Sequence, residues 1–251
     1  PRWSLPDLDS ALAWARERNG QGIRCILALA GEFARTPDRA RSAAGGNLGC
    51  IAGIAGAGLE ASLSVKPSAL GGLIDPETCR ALVLGRAREA GRSGIPLELD
   101  MEGKTSVDLP LGLAAGCRAE NPRATVALQV YLDRTPADLR RMVSLGIGVR
   151  LVKGAYLGDV SDFGQVQARM KEGAAILRDL RAPFSLGTHD PVLVEWATEE
   201  FADTRDLVEF GFLKGLSDRT KIRLASVGWR VSEYVPFGVG GDTYVMRRER
   251  D

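Results

Sequence analysis

Several features that mark common classes of protein are scarce in this sequence. Its four cysteines, Cys25, Cys50, Cys79 and Cys117, form no C-x-x-C pair, which argues against a zinc site or a thioredoxin-like motif. They are best explained as free thiols in a reducing compartment. No apolar run of about 20 residues is present, so no membrane-spanning helix is expected, and no secretory leader is apparent. We therefore expect a cytoplasmic protein.

An excess of one charge is also lacking. The 251 residues include 33 basic and 32 acidic side chains, a net charge of +1, without a basic or acidic tail. A nucleic acid is therefore not an expected partner. Hydrophobic residues make up 45% of the chain, enough for a full-sized core. The length is close to the ~250 residues typical of one α/β barrel, and we expect one domain over residues 1–251.

Short apolar runs alternate with longer amphipathic stretches, a pattern that predicts βα units around a parallel sheet. Eight apolar runs can be counted, at residues 24–31, 62–67, 95–101, 125–132, 149–154, 183–189, 207–213 and 231–238. A first helix is predicted over residues 8–20, with Asp7 as its cap and Gly20 as its stop. Eight strands, most of them followed by a helical stretch, predict a (β/α)8 barrel with a short N-terminal helix.

Residues 43–58, AAGGNLGCIAGIAGAG, raise one alternative fold. Clustered glycines occur in the phosphate-binding turn of doubly wound dinucleotide-binding sheets. That turn needs the order G-x-G-x-x-G directly after the first strand, and this stretch lacks it. Tight packing of a helix explains the glycines better, and the barrel is the preferred prediction.

Polar side chains stand at the ends of seven consecutive predicted strands, where the catalytic groups of a barrel lie. They are Lys66, Asp100, Gln129, Arg150 with Lys153 and Tyr156, Thr188 with His189 and Asp190, Glu209, and Tyr234, joined by Arg247 and Arg248 in a final helix. Each alone is compatible with a solvated or structural position, and a lone histidine is more often structural than catalytic. Together the cations outnumber Asp100 and Glu209. Cations that face one cavity need an anionic ligand, such as a carboxylate or a pyrophosphate.

Several of these residues lie in motifs that resemble the proline dehydrogenase family, including the proline-oxidising domain of proline utilisation A. The matching stretches are AGEFART (30–36), SVKPSALG (64–71), LDME (99–102), LQVYL (128–132), RLVKGAY (150–156), THD (188–190), EFGFLKG (209–215), YVPFG (234–238) and YVMRR (244–248). RLVKGAY followed by Y-V-P-x-G and a paired arginine is the most specific combination. The chain resembles a minimal, monofunctional member of that family.

The resemblance implies a distorted (β/α)8 barrel that binds FAD and holds no metal. It implies oxidation of L-proline to Δ1-pyrroline-5-carboxylate by hydride transfer to flavin N5. The electrons would then pass to a quinone, which would bring a cytoplasmic protein to the periphery of the inner membrane.

The resemblance also implies which residues hold the substrate. Arg247 and Arg248 resemble the pair that grips the proline carboxylate, and Lys66 adds a third cation. Asp100 resembles the carboxylate that anchors this cationic group.

Other residues of the motifs resemble the walls of the substrate cavity and the cofactor contacts. Tyr234 resembles the phenol beside the pyrrolidine ring, and Tyr156 and Leu151 resemble residues that close the cavity. Arg150 resembles the arginine near flavin N5. The remaining predicted FAD contacts are Gln129, at the isoalloxazine edge, Lys153, at the pyrophosphate, and Val152, Gly154, Ala155, Thr188, His189 and Asp190.

Other functions remain open at this point. Barrel aldolases form a Schiff base on a lysine at a strand end, and Lys66 or Lys153 would serve. A 4-hydroxyproline dehydrogenase would share the flavin site, although Tyr234 favours unsubstituted proline. A flavin carrier that ignores proline is disfavoured by the paired arginines.

Overall fold

The computed structural model describes residues 2–238, in which eight parallel strands close into a barrel in the order β1 to β8. The strands are β1 Ile23–Leu29, β2 Ala61–Val65, β3 Leu97–Leu99, β4 Ala124–Gln129, β5 Gly148–Val152, β6 Phe184–Gly187, β7 Val208–Leu213 and β8 Arg230–Phe237. One α-helix precedes β1 and one follows each of the strands β1 to β7: α1 Leu8–Gly20, α2 Pro37–Gly56, α3 Pro76–Arg92, α4 Asp108–Glu120, α5 Thr135–Ser144, α6 Phe163–Asp179, α7 Pro191–Glu200 and α8 Asp218–Ser226. Short 3-10 helices lie at Pro67–Leu70, Lys104–Ser106 and Arg205–Leu207. The predicted (β/α)8 barrel is confirmed. The helix predicted after β8 lies outside the described residues.

The N-terminal helix spans the predicted residues 8–20. The Asp7 side chain accepts a hydrogen bond from the Ser10 backbone N–H at 2.8 Å, which satisfies one of the free donors of the first turn. Gly20 is the last helical residue and not the stop, because Gln21 is the C-cap. The chain turns toward β1 at Gly22, whose φ of +73° suits glycine.

The glycine-rich stretch 43–58 falls mostly within α2, which packs closely against its neighbours. A Cβ on Gly46 would lie 2.6 Å from Leu29 Cδ2 in β1, and a Cβ on Gly53 would lie 2.8 Å from Leu12 Cδ1 in α1. A methyl group at either position would force the neighbouring leucine side chain to move. Gly46 and Gly53 therefore serve helix packing, as the sequence predicts, whereas a Cβ on Gly45, Gly56 or Gly58 would meet nothing within 4 Å. The stretch forms no phosphate-binding turn.

Successive strand residues point alternately toward the helices and into the barrel. The outward residues form the hydrophobic core between the barrel and the helices, for example Leu27, Leu63, Leu97, Val126 and Val149. The inward side is largely polar. Arg24 in β1 donates hydrogen bonds to Glu98 in β3 and Glu209 in β7, strands that are not its neighbours in the sheet, so these side chains cross the barrel interior.

The four cysteines are free and buried. Burial raises the pKa of the Cys50 thiol from its ordinary value near 9 to about 12, and it raises the pKa of Cys25 and Cys117 similarly. These thiols stay protonated at neutral pH, which makes them unreactive. Among residues 2–238, no helix is long and apolar enough to cross a membrane.

Two glycines in α3 give a matched test of the helix packing. A Cβ on Gly91 would lie 2.5 Å from the backbone oxygen of Glu120 at the end of α4, whereas a Cβ on Gly85 would meet nothing within 4 Å. We expect Gly91→Ala to lower the free energy of unfolding by about 1–3 kcal/mol, because backbone must move. Gly85→Ala should raise it by about 0.5–1 kcal/mol, because alanine favours helix. Urea unfolding of both variants checks this, and equal effects at the two positions would contradict the packing.

Candidate active site

Four of the predicted site residues meet in the upper part of the barrel around one carboxylate. The Asp100 Oδ1 atom accepts a hydrogen bond from Arg150 Nη2. Its Oδ2 atom accepts one from the Tyr234 hydroxyl at 2.5 Å and lies 3.4 Å from Lys66 Nζ. Lys66 Nζ also donates to the Tyr234 hydroxyl oxygen at 3.1 Å. These four residues, from β2–α3, β3–α4, β5 and β8, are called the Asp100 cluster below.

The Asp100 cluster has defined protonation states. Burial alone raises the pKa of Asp100, but Arg150 and Lys66 outweigh burial and hold that pKa below its ordinary range. Burial lowers the pKa of the Lys66 ammonium, yet the oxygens of Tyr234 and Asp100 more than offset this and raise it. Burial, followed by the Asp100 charge, raises the pKa of the Tyr234 phenol. At neutral pH the cluster therefore holds a carboxylate, two cations and a neutral phenol.

A row of alternating positive and negative side chains extends from the Asp100 cluster into the lower part of the barrel interior. Arg150 Nε lies 3.5 Å from Glu98 Oε2. Glu98 Oε1 accepts hydrogen bonds from Arg24 Nη2 at 3.2 Å and from the Ser62 hydroxyl at 2.6 Å. Arg24 also donates through Nε to Glu209 Oε2 at 2.8 Å.

The sequence predicted the wrong position for one of these carboxylates and did not predict the other as a site residue. Glu209 was expected at the mouth of the barrel, but it is the second residue of β7 and binds Arg24 in the lower part of the interior. Glu98 was not predicted as a site residue, because the sequence does not indicate which cation a carboxylate in mid-strand contacts. Its position two residues before Asp100, on the same face of the chain, is the signal that would have found it.

The segment after β5 carries four predicted cofactor or substrate residues, and together with its continuation to α6 it is called the β5–α6 loop (residues 153–162). Lys153 and Ala155 are exposed and Tyr156 is half-buried. Gly154 has a φ of +119°, which strongly favours glycine. Val152, at the end of β5, lies beside β6, since a Cβ on Gly187 would be 2.8 Å from Val152 Cγ1.

The predicted residues at the end of β6 contact their own turn and neighbouring elements. The Thr188 hydroxyl oxygen accepts a hydrogen bond from the Asp190 backbone N–H at 3.1 Å. Asp190 caps α7 and also accepts a hydrogen bond from Gln167 Nε2 at 2.5 Å. His189 Nε2 accepts the Leu213 backbone N–H at 3.2 Å, which ties the end of β6 to the end of β7.

Leu151 does not reach the cluster, and its predicted place at the substrate cavity is corrected. Arg150 points into the barrel, so the next residue points out. The Leu151 side chain is fully buried in the outer core, and its Cδ2 atom would lie 3.0 Å from a Cβ on Gly173 in α6. Arg247 and Arg248, the predicted carboxylate grip, lie outside the described residues.

The interior above the Asp100 cluster suits a planar group with polar edges. Gly187, the last residue of β6, lies beside Gly211 in β7, and these two inward positions occupy little space. Gln129, only 3% exposed, donates through Nε2 to the Glu102 backbone oxygen at 3.1 Å. Its Oε1 atom is buried without a hydrogen-bond partner in the described part of the chain, and such an atom calls for a ligand donor or water. These features fit the edge of an isoalloxazine ring.

Comparison with known proteins identifies the family. The family model described as proline dehydrogenase matches residues 11–167, more than half of the chain. The chain belongs to the proline dehydrogenase family. The matched region of this proline dehydrogenase family member includes Lys66, Asp100 and Arg150 of the Asp100 cluster.

Individual relatives agree with this assignment. The chain is 27% identical over 252 residues to proline dehydrogenase 2 of Bacillus subtilis (strain 168), a match that covers 96% of this chain and 82% of the relative. It is 28% identical over 264 residues to proline dehydrogenase of Deinococcus radiodurans, with the same coverage.

Solved structures share the fold. Proline utilization A from Bdellovibrio bacteriovorus superposes with a TM-score of 0.86 at 18% identity, over 98% of this chain and 32% of that protein. Proline utilization A from Bradyrhizobium japonicum gives a TM-score of 0.83 at 22% identity, over 98% of this chain and 30% of that protein. At such identities the likeness shows the fold, and this proline dehydrogenase family member spans about a third of those longer chains.

Proposed function

We propose that the protein is a flavoenzyme that oxidises L-proline to Δ1-pyrroline-5-carboxylate. The observation that carries this proposal is the Asp100 cluster, which places two cations and a neutral phenol around one buried carboxylate at the catalytic end of the barrel. Membership in the proline dehydrogenase family supports it. The proposal treats residues 1–251 as one domain.

Charge balance indicates what completes the substrate site. The interior chain of Glu209, Arg24, Glu98, Arg150, Asp100 and Lys66 pairs three cations with three carboxylates. A buried substrate carboxylate added to this balanced set would lack a counter-charge, which is costly. We therefore assign the carboxylate grip to Arg247 and Arg248, with one remaining N–H of Lys66 as a third donor.

FAD is the cofactor that we propose for the space above the cluster. When bound, FAD supplies the hydride acceptor, and the protein supplies position and charge. Gln129 would satisfy its free Oε1 atom at the ring edge, and Arg150 would bring a positive charge near N5. Lys153, exposed at the barrel mouth, would bind the pyrophosphate. Val152 ends β5, Gly154 and Ala155 follow it, and Thr188, His189 and Asp190 follow β6; all six remain proposed contacts.

Proton removal from the substrate amine is not assigned to the cluster. Asp100 is a weak base because its pKa is lowered, and Tyr234 stays protonated because its pKa is raised. Surrounding cations lower the pKa of a bound ammonium group, so water can take the proton. Tyr234 instead donates to Asp100, and we propose that its ring lies beside the pyrrolidine ring.

The geometry of the Asp100 cluster also bears on the two alternative functions. A Schiff-base aldolase needs a lysine with a lowered pKa, whereas the pKa of Lys66 is raised and its ammonium is held by Asp100 and Tyr234. Lys66 is therefore a poor nucleophile. A 4-hydroxyproline dehydrogenase would place a ring hydroxyl near Tyr234, whose hydroxyl already has a donor and an acceptor.

The electron acceptor that we propose is a quinone, which a cytoplasmic protein would meet at the periphery of the inner membrane. The proposal follows from the family resemblance. Reduction of a soluble quinone analogue by the proline-reduced protein would support it, and reduction of NAD⁺ in its place would contradict it.

The visible spectrum of the purified protein tests the whole proposal. We expect a yellow protein whose flavin absorbance bleaches when L-proline is added without oxygen. A yellow protein that bleaches only with 4-hydroxyproline would support the alternative substrate. A colourless protein that cannot be reconstituted with FAD would overturn the proposal, and borohydride trapping with a carbonyl substrate would then test Lys66.

A further inference from the structure

The aromatic ring of Tyr131, two residues after β4, is enclosed by two glycines of the β5–α6 loop. A Cβ on Gly154 would lie 1.3 Å from Tyr131 Cε1, and a Cβ on Gly158 would lie 1.8 Å from Tyr131 Cδ2. The two glycines therefore approach opposite edges of one ring, closer than any other residue type permits. Tyr131 is 3% exposed, so the ring is covered by the loop and the core beneath it.

The backbone of the β5–α6 loop is also fastened to Tyr131. The Tyr156 backbone N–H donates to the Tyr131 hydroxyl oxygen at 3.3 Å. The backbone N–H groups of Asp159 and Val160 donate to the Tyr131 backbone oxygen at 3.0 and 3.2 Å, and the Tyr131 N–H donates to the Lys153 backbone oxygen at 3.4 Å. One residue thus contacts the loop at both ends and in the middle.

Much of the loop surface is exposed. Lys153 and Ala155 are exposed, and Leu157 is 88% exposed. Asp159 adds a second tether at the far end, where it accepts the Asp133 backbone N–H at 2.9 Å and pairs with Lys104 at 3.1 Å. A loop with so little buried surface of its own is ordered only by the groups that hold it. For residues 154–158 one such group is the Tyr131 ring.

We propose that Tyr131 is a positioning residue that holds the β5–α6 loop in the conformation that binds the flavin cofactor. The inference rests on the proposed function, because Lys153, Gly154 and Ala155 are proposed cofactor contacts. Tyr131 would touch neither substrate nor cofactor. It would act by ordering the loop before the cofactor arrives, which removes an entropic cost from cofactor binding.

Cofactor affinity and amide exchange of Tyr131 variants test this. In Tyr131→Leu the ring is lost, and we expect the Kd for FAD, measured by fluorescence titration of deflavinated protein, to rise about tenfold or more. Amide hydrogen exchange at Tyr156, Asp159 and Val160 should accelerate about tenfold or more in the same variant. Tyr131→Phe keeps the ring, so its Kd should stay near wild type and only the Tyr156 amide should exchange faster.

A glycine pair provides the matched test from the other side of the contact. Gly158→Ala drives a methyl group into the ring and should reproduce both effects of Tyr131→Leu. Gly103→Ala, in the neighbouring β3–α4 loop, adds a methyl group with nothing within 4 Å and should behave as wild type. If Tyr131→Leu fails to fold, Gly158→Ala decides the question.

The proposal and the proposed function fail in different ways. Wild-type exchange rates and wild-type FAD affinity in both Tyr131→Leu and Gly158→Ala would overturn the positioning role while leaving the flavoenzyme intact. A wild-type protein that binds no FAD would overturn the proposed function. In that case the proposed role of Tyr131 in cofactor binding would be overturned as well. Amide hydrogen exchange in the FAD-free protein would still show whether Tyr131 orders the loop.

Discussion

The Asp100→Asn substitution is expected to lower kcat/KM for L-proline by roughly 30- to 1000-fold. The Asp100 carboxylate receives hydrogen bonds from Arg150 and Tyr234 and pairs with Lys66. An amide removes the negative charge and leaves two buried cations facing each other. Losing one partner of a buried, hydrogen-bonded charge cluster costs about 2–4 kcal/mol, which corresponds to that range of rate. Steady-state kinetics with a quinone analogue give the measurement.

The matched control for this variant is Asp138→Asn. Asp138, on α5, is a buried carboxylate that accepts a hydrogen bond from Arg134 at 2.7 Å, but it belongs to no part of the proposed site. Its kinetics should stay near wild type, whereas its stability falls somewhat. If Asp100→Asn retains its flavin and turns over proline within about threefold of wild type, the Asp100 cluster does not hold the substrate site together.

A large loss of stability is expected at a second buried cluster, between the barrel and helices α1 and α8. Lys221 and Glu233 are both fully buried, and Lys221 Nζ lies 2.5 Å from Glu233 Oε2. Glu233 also accepts the Trp14 indole N–H at 2.7 Å and lies 3.3 Å from Arg18 Nε. Lys221→Met removes the cation that forms the 2.5 Å ion pair with this carboxylate. We expect it to lower the free energy of unfolding by about 3 kcal/mol, measured by urea denaturation at neutral pH.

A double-mutant cycle tests whether an uncompensated buried charge causes this loss of stability. Glu233→Gln removes the charge and keeps an oxygen for Trp14. The combined Lys221→Met and Glu233→Gln variant should therefore be more stable than Lys221→Met alone, because no uncompensated charge stays buried. Arg88→Met, which breaks the exposed Arg88–Glu120 pair on the surface, should change stability far less. Purely additive effects at Lys221 and Glu233 would contradict a coupled ion pair.

The barrel could be predicted because its signal is local and repeated. Each of the eight apolar runs overlaps the strand found there, and Asp7 caps α1 as expected. Strand ends in a parallel barrel share one rim by topology alone. Lys66 and Asp100 could therefore be placed together from their order along the chain. Gly20 was predicted as the stop of α1, whereas Gln21 is the C-cap and the positive φ that turns the chain is at Gly22.

The interior partners could not be predicted in the same way. Arg24, Glu98 and Glu209 come from strands far apart in sequence, and they meet because barrel closure brings β1, β3 and β7 around one axis. The strand that carries Glu209 was predicted correctly, but the sequence does not show how far along the barrel axis a strand residue lies. Glu209 was therefore expected at the mouth. Leu151 was assigned to the cavity by motif, whereas the alternation set by Arg150 turns it outward.

The sequence by itself determined the strand count, the family motifs and the residue types available for chemistry, because these depend on periodicity and on neighbours along the chain. Only the tertiary structure decided which charges pair. The stagger of the strands brings Arg150, Tyr234 and Lys66 to the Asp100 carboxylate. The path of one loop places two glycines around Tyr131. Both arise from packing between distant segments, which local preference does not encode.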